Sequence, residues 1–291
     1  MHKEAKHTDL ERIRLATQWA PRTCWKDPMS GENCAWYHGF WPILRALNLV
    51  TTPNSHREFL TEAFASAAHS GARRVLISGA VDDGMLKQVL DGFAAANVTP
   101  QVTVLDRCPT PLFLSRAYAA SESVAITTIA QDILEFAPKH KFDLITTHSF
   151  LGHFSIAQRG ELVRRWRSAL QPSGIVVTVN RIRPNAKDCL VGFAPEEAQR
   201  FLDTVEREAR DISSNCDWAT NVLIEAARVY VEKSVAWPVK SLEEVGWLLK
   251  DSGFAIEQLA IREWEATHTA ALAGPTAPKG AAYACIVARA L

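Results

Sequence analysis

The stretch "VLISGAVDDGMLKQVL", residues 75–90, joins an apolar strand to the start of a helix. The strand part ends at Gly79, and the apolar spacing that follows predicts a helix over 84–97. Strand, glycine turn and helix in this order are typical of a ligand-binding loop. The glycine lets the backbone approach a ligand closely, and the start of the helix offers free N–H groups. The stretch therefore predicts a binding loop after a first strand.

Strand-like and helical segments alternate around this loop. The strand-like runs are "RRVLI" (73–77), "QVTVLD" (101–106), "VAITTI" (124–129), "FDLITT" (142–147) and "IVVTV" (175–179). They are short, β-branched and almost continuously apolar, as buried parallel strands are. Helices are predicted between them, over 84–97, about 110–120 and 155–170. The last begins with a capping box formed by Ser155 and Gln158. Such alternation predicts an α/β, doubly wound, mostly parallel sheet.

Both ends of this core carry further elements. We expect a helical N-terminal cap or lid over 1–70 and a core over 71–291 with a helical insertion at about 190–240. A capping box in "SHRE" (55–58) is expected to begin a helix that ends at Gly71. Further helices are predicted over 195–212, 216–233 and 241–252, the last with the capping box "SLEE". The segments "AIEQLAIREW" and "AYACIVARA" predict a C-terminal antiparallel hairpin.

Charge and cysteine content exclude several classes of protein. Lys+Arg and Asp+Glu number 32 each, so the net charge is zero, which argues against a nucleic-acid partner. The six cysteines are scattered, without a C-x-x-C motif or paired Cys/His spacing, which favours a reduced cytoplasmic chain with no metal site. No apolar run approaches the roughly 18 to 20 residues of a membrane span. We therefore expect a soluble cytoplasmic protein with no membrane or nucleic-acid partner.

The first loop does not match a dinucleotide site. Such a site uses G-x-G-x-x-G, whereas Val81 and Asp83 occupy positions where further glycines are expected. The carboxylates of Asp82 and Asp83 would repel a diphosphate and suit a positively charged ligand. S-adenosylmethionine carries a sulfonium and an ammonium group and no phosphate. The alternative is a plain strand-to-helix turn with Asp82 as the N-cap.

Acidic residues also follow the next two strands. Asp106 ends the second strand, where a carboxylate can accept hydrogen bonds from both hydroxyls of a ribose. Asp132 and Ile133 come just after the third strand. A carboxylate and an apolar side chain at that place can hold an adenine amino group and cover its ring. The three loops together therefore favour an adenosyl cofactor.

With these residues, the chain over about 73–180 resembles the class I S-adenosylmethionine-dependent methyltransferases. The likeness is to the type that modifies small molecules, with a divergent first-strand loop that reads "SGAVDDG". The resemblance implies a seven-stranded sheet ending in the hairpin, with S-adenosyl-L-methionine as the cofactor. Its cofactor-binding roles fall by position on Ser78, Gly79, Ala80, Asp82, Asp106, Arg107, Asp132, Ile133 and His148. The loop residues would hold the methionine part, the second-strand end the ribose, and the pair after the third strand the adenine.

Three histidines are candidate catalytic residues. His148 and His153 lie in "THSFLGHF" after the fourth strand, where this family often contacts the transferring methyl group or the acceptor. His38 lies in "WYHGFW". Histidine is a suitable base near neutral pH. The alternatives are that His148 caps a turn and that His153 is a solvated loop residue.

Aromatic and basic residues are candidates for acceptor binding. Trp36, Tyr37 and Trp41 could form an apolar wall or a lid, although docking of helices on the sheet is an alternative role. Arg181 follows the fifth strand and could face the pocket mouth, as could Arg183. The insertion carries Trp218, Tyr230 and Trp237. Inserts at this place commonly form the acceptor pocket or a dimer contact in the family, so a homodimer is compatible with the resemblance.

The sequence therefore favours an enzyme that transfers a methyl group to oxygen, nitrogen or carbon of a small organic metabolite. Zero net charge and helical additions at both ends suit a small acceptor. Two other interpretations stay open at this point. One is an inactive cofactor-binding scaffold or partner subunit, which the divergent loop allows. The other is an NAD(P)-dependent oxidoreductase with an altered glycine loop.

Overall fold

The computed structural model describes residues 2–184, 186–213, 219–265 and 280–291. Its α-helices are α1 (His2–Thr23), α2 (Ala35–His38), α3 (Trp41–Ala46), α4 (Arg57–His69), α5 (Gly84–Ala95), α6 (Pro109–Ser121), α7 (Ile156–Ala169), α8 (Pro195–Ser213), α9 (Thr220–Lys233) and α10 (Leu242–Asp251). Two 3-10 helices cover Pro53–His56 and Leu151–His153. No helix within the described ranges is both long and apolar enough to cross a bilayer.

The strands form one seven-stranded sheet. They are β1 (Arg74–Ser78), β2 (Gln101–Asp106), β3 (Ile126–Ala130), β4 (Phe142–His148), β5 (Leu170–Ile182), β6 (Phe254–Glu265) and β7 (Gly280–Ala290). Their order is β3-β2-β1-β4-β5-β7-β6. Strands β1 to β5 pair in parallel, and β7 pairs antiparallel with β5. This confirms the predicted seven-stranded, mostly parallel α/β fold with antiparallel strands at its C-terminus.

The strand order reverses between β1 and β4. From β1 the chain moves outward through β2 to β3 and then returns to β4 on the other side of β1. In open α/β sheets, ligands bind beyond the carboxyl ends of the strands at such a reversal. A ligand site is therefore expected at the loops after β1, β2, β3 and β4.

Two compact units make up the chain. The helical unit contains the described residues of Met1–Thr51, Cys189–Ala236 and Trp264–Ala281. The sheet unit contains the described residues of Thr52–Asp188, Trp237–Glu263 and Ala282–Leu291. The predicted cap over 1–70 thus divides, because α4 lies in the sheet unit while the residues up to 51 group with the insertion helices.

Each unit has its own hydrophobic core. In the sheet unit, α7 contributes the apolar face that its 3.6-residue period predicts, with Leu162, Val163 and Trp166 buried. In the helical unit, Leu44 and Phe201 are among the fully buried side chains. Full burial of one such side chain contributes about 1.5–3 kcal/mol.

The capping box predicted at Ser155 is confirmed, and at Ser241 the serine half of the predicted box is present. Ser155 Oγ accepts a hydrogen bond from the N–H of Gln158 at the start of α7. Ser241 Oγ accepts one from the N–H of Glu244 at 3.1 Å at the start of α10.

The expected box in "SHRE" was wrong. Ser55 pairs with Thr52 instead, since Ser55 Oγ accepts the Thr52 N–H at 3.2 Å. Pro53 begins a 3-10 helix there, so the serine serves this earlier turn and α4 begins only at Arg57.

Candidate active site

Gly79 begins the loop after β1, and both its backbone conformation and a close neighbouring ring favour glycine at this position. Its φ is +78°, a conformation that favours glycine, and its N–H donates to the carbonyl of Leu105 at 2.8 Å. A Cβ at this position would lie 2.3 Å from Cε2 of Phe150, in the loop after β4. The ring of Phe150 therefore packs directly on the candidate cofactor loop. Sequence analysis did not single out Phe150.

The hydroxyl of Ser78 is used inside the protein. Ser78 is fully buried, and its Oγ accepts a hydrogen bond from Nε1 of Trp166 at 3.0 Å. This bond fastens α7 to the end of β1. A cofactor-binding role for Ser78 therefore falls on its backbone.

The two aspartates of the loop are almost completely buried. Asp82 is 4% and Asp83 2% exposed. Asp82 Oδ1 accepts the N–H of Gly84 at 2.7 Å, so this carboxylate caps the first turn of α5, although Asp83 occupies the N-cap position. The negative charge of Asp82 also acts to raise the pKa of His148. Asp82 is thus near enough to the end of β4 to act on a charge there.

Asp106, the last residue of β2, joins two loops. Its Oδ2 accepts the N–H of Ala80 at 2.9 Å, and its Oδ1 accepts the N–H of Cys108 at 2.7 Å. A carboxylate oxygen can accept two hydrogen bonds, so these contacts are compatible with a further bond from a ligand hydroxyl. The side chain of Arg107 is exposed beside it.

Asp132 and Ile133 follow β3 and differ in environment. Asp132 is half-buried, and its Oδ1 accepts the N–H of Leu134 at 2.9 Å, which fixes the carboxylate in the loop. Ile133 is buried in the core of the sheet unit. Asp132 is therefore the more accessible of the two predicted adenine contacts.

His148 is the last residue of β4 and lies among buried aromatic rings. Its ring centre is 5.3 Å from that of His56 and 6.2 Å from that of Tyr283. Its Nε2 is buried and has no hydrogen-bond partner in the described part of the chain. Burial and the neighbouring His56 hold the pKa of His148 well below its ordinary 6.5. His148 is therefore an uncharged imidazole at neutral pH, as a base must be.

His56 is a second buried histidine that sequence analysis missed. It is 1% exposed and ends the first 3-10 helix. Burial, together with the charge of Arg262, lowers its pKa to about 4. His56 lies in "SHRE" (55–58), which was predicted to begin a helix, so no local pattern marked it as part of a site.

The other two candidate bases are His153 and His38. His153 is exposed at the end of the second 3-10 helix, with its ring centre 6.0 Å from that of Phe150. His38 is buried in the helical unit, 5.2 Å from the ring of Tyr37. Their catalytic roles remain predictions.

The predicted acceptor-binding aromatics form a cluster within the helical unit. The rings of Trp36 and Tyr37 lie 6.0 and 6.4 Å from that of Tyr230 in α9, and Trp41 lies 5.4 Å from Tyr37. All three predicted residues are half-buried. Tyr230 of the insertion thus joins them, whereas Trp218 lies outside the described residues.

Trp237 falls in the sheet unit, where its backbone N–H donates to the carbonyl of Gly152 at 2.9 Å.

Arg181 lies on β5 directly opposite Tyr283 of β7 and is 7% exposed. Directly opposed residues of an antiparallel pair project from the same face. Arg181 is thus on the sheet face that carries Tyr283 and, through the pairing of His148 with Val179, His148.

Comparison with known proteins supports the methyltransferase resemblance. A family model described as a methyltransferase domain matches residues 87–178, about a third of the chain. This match confirms the sequence-based resemblance over residues 87–178. Among curated proteins, no sequence matches.

Several solved structures are similar at low identity. The N-methyltransferase NodS from Bradyrhizobium japonicum WM9, in complex with S-adenosyl-L-homocysteine, is 15% identical with a TM-score of 0.48, over 80% of this chain and 86% of that one. A putative sarcosine dimethylglycine methyltransferase from Galdieria sulphuraria is 12% identical with a TM-score of 0.49, over 84% and 92%. Magnesium protoporphyrin IX methyltransferase from Synechocystis PCC 6803, with bound S-adenosylmethionine, is 12% identical with a TM-score of 0.45, over 81% and 80%. At these values the likenesses assign neither cofactor nor acceptor to this chain.

Proposed function

We propose that this protein is an S-adenosylmethionine-dependent methyltransferase that modifies oxygen, nitrogen or carbon of a small organic metabolite. The observation that carries the proposal is the placement of three carboxylates. Asp82, Asp106 and Asp132 follow β1, β2 and β3, which are neighbours in the sheet and end at the same edge. Negative charge in all three loops suits a cationic adenosyl cofactor and opposes a diphosphate.

Each carboxylate has a distinct role in this proposal. Asp82, buried beside Gly79 and Ala80, offsets the positive charge of the cofactor's methionine part, whose amino group it can bind. Asp106 accepts the ribose hydroxyls, with Arg107 beside it. The fixed carboxylate of Asp132 accepts from the adenine amino group. The hydrogen bonds that orient all three aspartates come from backbone N–H groups, so the carboxylates are held in place before the cofactor binds.

When bound, the cofactor would supply an activated methyl group for the acceptor's nucleophile. An acceptor hydroxyl or amine must also lose a proton. We propose that Nε2 of His148 takes it, since the imidazole is uncharged at neutral pH and this nitrogen has no hydrogen-bond partner among the described residues. The charge of Asp82 then stabilises the imidazolium that forms.

The acceptor is proposed to be a small molecule with an apolar part. The half-buried rings of Trp36, Tyr37 and Trp41 suit such a group. Arg181 suits a carboxylate on the acceptor, and His38 and His153 are further candidate bases. Because the net charge is zero and the cysteines are scattered, we propose that the reaction takes place in the cytoplasm with no nucleic-acid or membrane partner. A homodimer is compatible with this proposal.

The test of this proposal is product formation from S-adenosylmethionine and a panel of small acids, phenols and amines, followed by mass spectrometry. His148→Asn should lower the rate of transfer to an acceptor that loses a proton by about 100-fold or more, the usual contribution of a general base. Its affinity for S-adenosylhomocysteine should stay within twofold of the wild type. His140→Asn, at an exposed position, is the matched control. An unaltered rate in His148→Asn would show that His148 is not the base.

A further inference from the structure

The rings of His56, Tyr283 and His148 lie close together at the end of β4. The centre of the His56 ring, from the 3-10 helix before α4, lies 4.7 Å from that of Tyr283 in β7 and 5.3 Å from that of His148. His148 and Tyr283 are stacked, with their rings inclined by 22° at 6.2 Å. His56 and Tyr283 are 1% and 2% exposed. The two buried rings of His56 and Tyr283 therefore form a support that packs against the ring of His148.

Charged groups act on this support from two sides. Asp82, in the loop after β1, acts on His148, and Arg262 of β6 acts on His56. The guanidinium of Arg262 is itself 3.4 Å from the carboxylate of Glu58, at the start of α4. A positive charge thus stands on the His56 side of the pair and a negative charge on the His148 side.

The neighbouring strands β5 and β7 add two further titratable groups. Cys285 stands two residues from Tyr283 on β7, and burial raises the pKa of its thiol to about 11, so it is uncharged. Arg181 lies opposite Tyr283 on β5.

We infer that His56 is a positioning residue for His148: it holds the imidazole against Tyr283 and keeps a second proton out of the pair. The inference rests on the proposed role of His148 as the base. His56 is 1% exposed whereas His148 is only partly buried, so His56 acts through His148.

The physical reason is that two buried imidazoles at this distance oppose each other's charge. Protonation of one ring disfavours protonation of the other, and burial disfavours both. The neighbouring charges act differently on the two histidines. Arg262 disfavours protonation of His56, whereas Asp82 favours protonation of His148.

The test is a nuclear magnetic resonance titration of the full chain with labelled histidine side chains, without cofactor, from pH 3 to 8.5, a range that includes the pKa of about 4 of His56. The chain has nine histidines, and the signal of His148 is assigned by its loss in His148→Asn. His56→Phe keeps a ring against Tyr283 but cannot take up a proton. In this variant we expect the midpoint of His148 to rise by about one to two pH units, the size expected for two charges some 5 Å apart in a protein. The same curve for His148 in both proteins, including the absence of titration in both, would overturn the inference.

Two measurements separate other causes. The signal of exposed His140 should titrate identically in both proteins, and His56→Gln replaces His56→Phe if the latter does not fold. By calorimetry, His56→Phe should bind S-adenosylhomocysteine within twofold of the wild type. Weaker binding without a shift of His148 would make His56 merely structural. Failure of the wild type itself to bind would count against the proposed function, while the titration would still decide the role of His56.

Discussion

The carboxylate of Asp106 accepts a hydrogen bond from the backbone N–H of Ala80, 2.9 Å away, and so ties the end of β2 to the loop after β1. The same carboxylate accepts from the N–H of Cys108, just before α6. The residue proposed to bind the ribose thus also fixes the loop proposed to bind the methionine part. Changes at Asp106 should therefore affect both ends of the cofactor.

We expect Asp106→Asn to weaken S-adenosylhomocysteine binding by about 10- to 100-fold, the range of one hydrogen bond to a charged group. An amide has one acceptor oxygen where the carboxylate has two, so a backbone N–H and a ribose hydroxyl lose their partner. Calorimetric titration measures the change. Asp251→Asn, at the exposed end of α10, should bind like the wild type. Equal affinities for the two variants would remove Asp106 from the site.

We expect Gly79→Ala to destabilise the protein more than Gly71→Ala. Both glycines have a positive φ, +78° and +99°, so both alanines carry backbone strain of about 1–2 kcal/mol. A Cβ on Gly71 meets nothing within 4 Å, whereas one on Gly79 would collide with Phe150. The collision should add about 1–3 kcal/mol and weaken cofactor binding. Urea unfolding of the two variants measures the difference, and equal losses would mean that Phe150 moves aside freely.

Stability should fall as the pH drops below about 6.5, because His56 is buried in its neutral form. Its pKa is about 4 in the folded protein against 6.5 when unfolded, so between these values the unfolded chain binds a proton that the native state does not. His56 alone should thus remove about 3 kcal/mol of unfolding free energy between pH 7 and pH 4. The lowered pKa of His148 acts in the same direction.

Urea unfolding at several pH values measures this loss, and His56→Phe should flatten the decline. The change of unfolding free energy with pH, rather than its absolute value, is the quantity to compare. Parallel curves for variant and wild type would mean that His56 is charged in the native protein or accessible to water.

Arg159 should be important for the stability of the sheet unit. It is 2% exposed, and its guanidinium donates to Glu244 at 2.7 Å and to the carbonyls of Trp237, Pro238 and Leu151 at 2.7, 3.0 and 3.2 Å. Arg159→Met would leave these acceptors without their donor. We expect a loss of about 3 kcal/mol, the lower part of the range for breaking a buried pair, because Glu244 is one-third exposed.

The matched control for Arg159 is on the same helix. Arg165 makes an exposed pair with Glu161 at 3.8 Å, so Arg165→Met should change the unfolding free energy by less than about 0.5 kcal/mol. Thermal or urea unfolding of both variants gives the comparison. A similarly small loss of unfolding free energy for both variants would mean that water hydrogen-bonds to the carbonyls once the guanidinium of Arg159 is removed.

Most strand positions followed from local patterns, whereas no strand order was predicted. β2 was predicted with its observed ends, because its apolar and β-branched run stops at Asp106. β5 was predicted only over 175–179, yet it extends from Leu170 to Ile182. The extension includes "QPSG", which is polar, and its pairing depends on the neighbouring strands, across an irregularity in β4 between Phe142 and Leu144. Such a partner-dependent extension has no local signal.

Candidate residues could be singled out where they end or follow a strand. Asp106, Asp132 and His148 were singled out because the ends of parallel strands meet at one edge, and their roles stay predictions. His56 and Phe150 were not found, because their positions depend on how the 3-10 helix and the loop after β4 pack on the sheet. For His56, the sequence offered only a histidine without an assigned role just before α4.

The measurement that tests the central claim most directly is calorimetric titration of the full chain with S-adenosylhomocysteine, with NAD as the parallel ligand. Three carboxylates at the ends of β1, β2 and β3 suit the adenosyl cofactor and oppose a diphosphate, so saturable binding of S-adenosylhomocysteine alone is the expected result. Binding of NAD alone would contradict it and favour an oxidoreductase. Binding of neither would contradict it as well and favour an inactive scaffold.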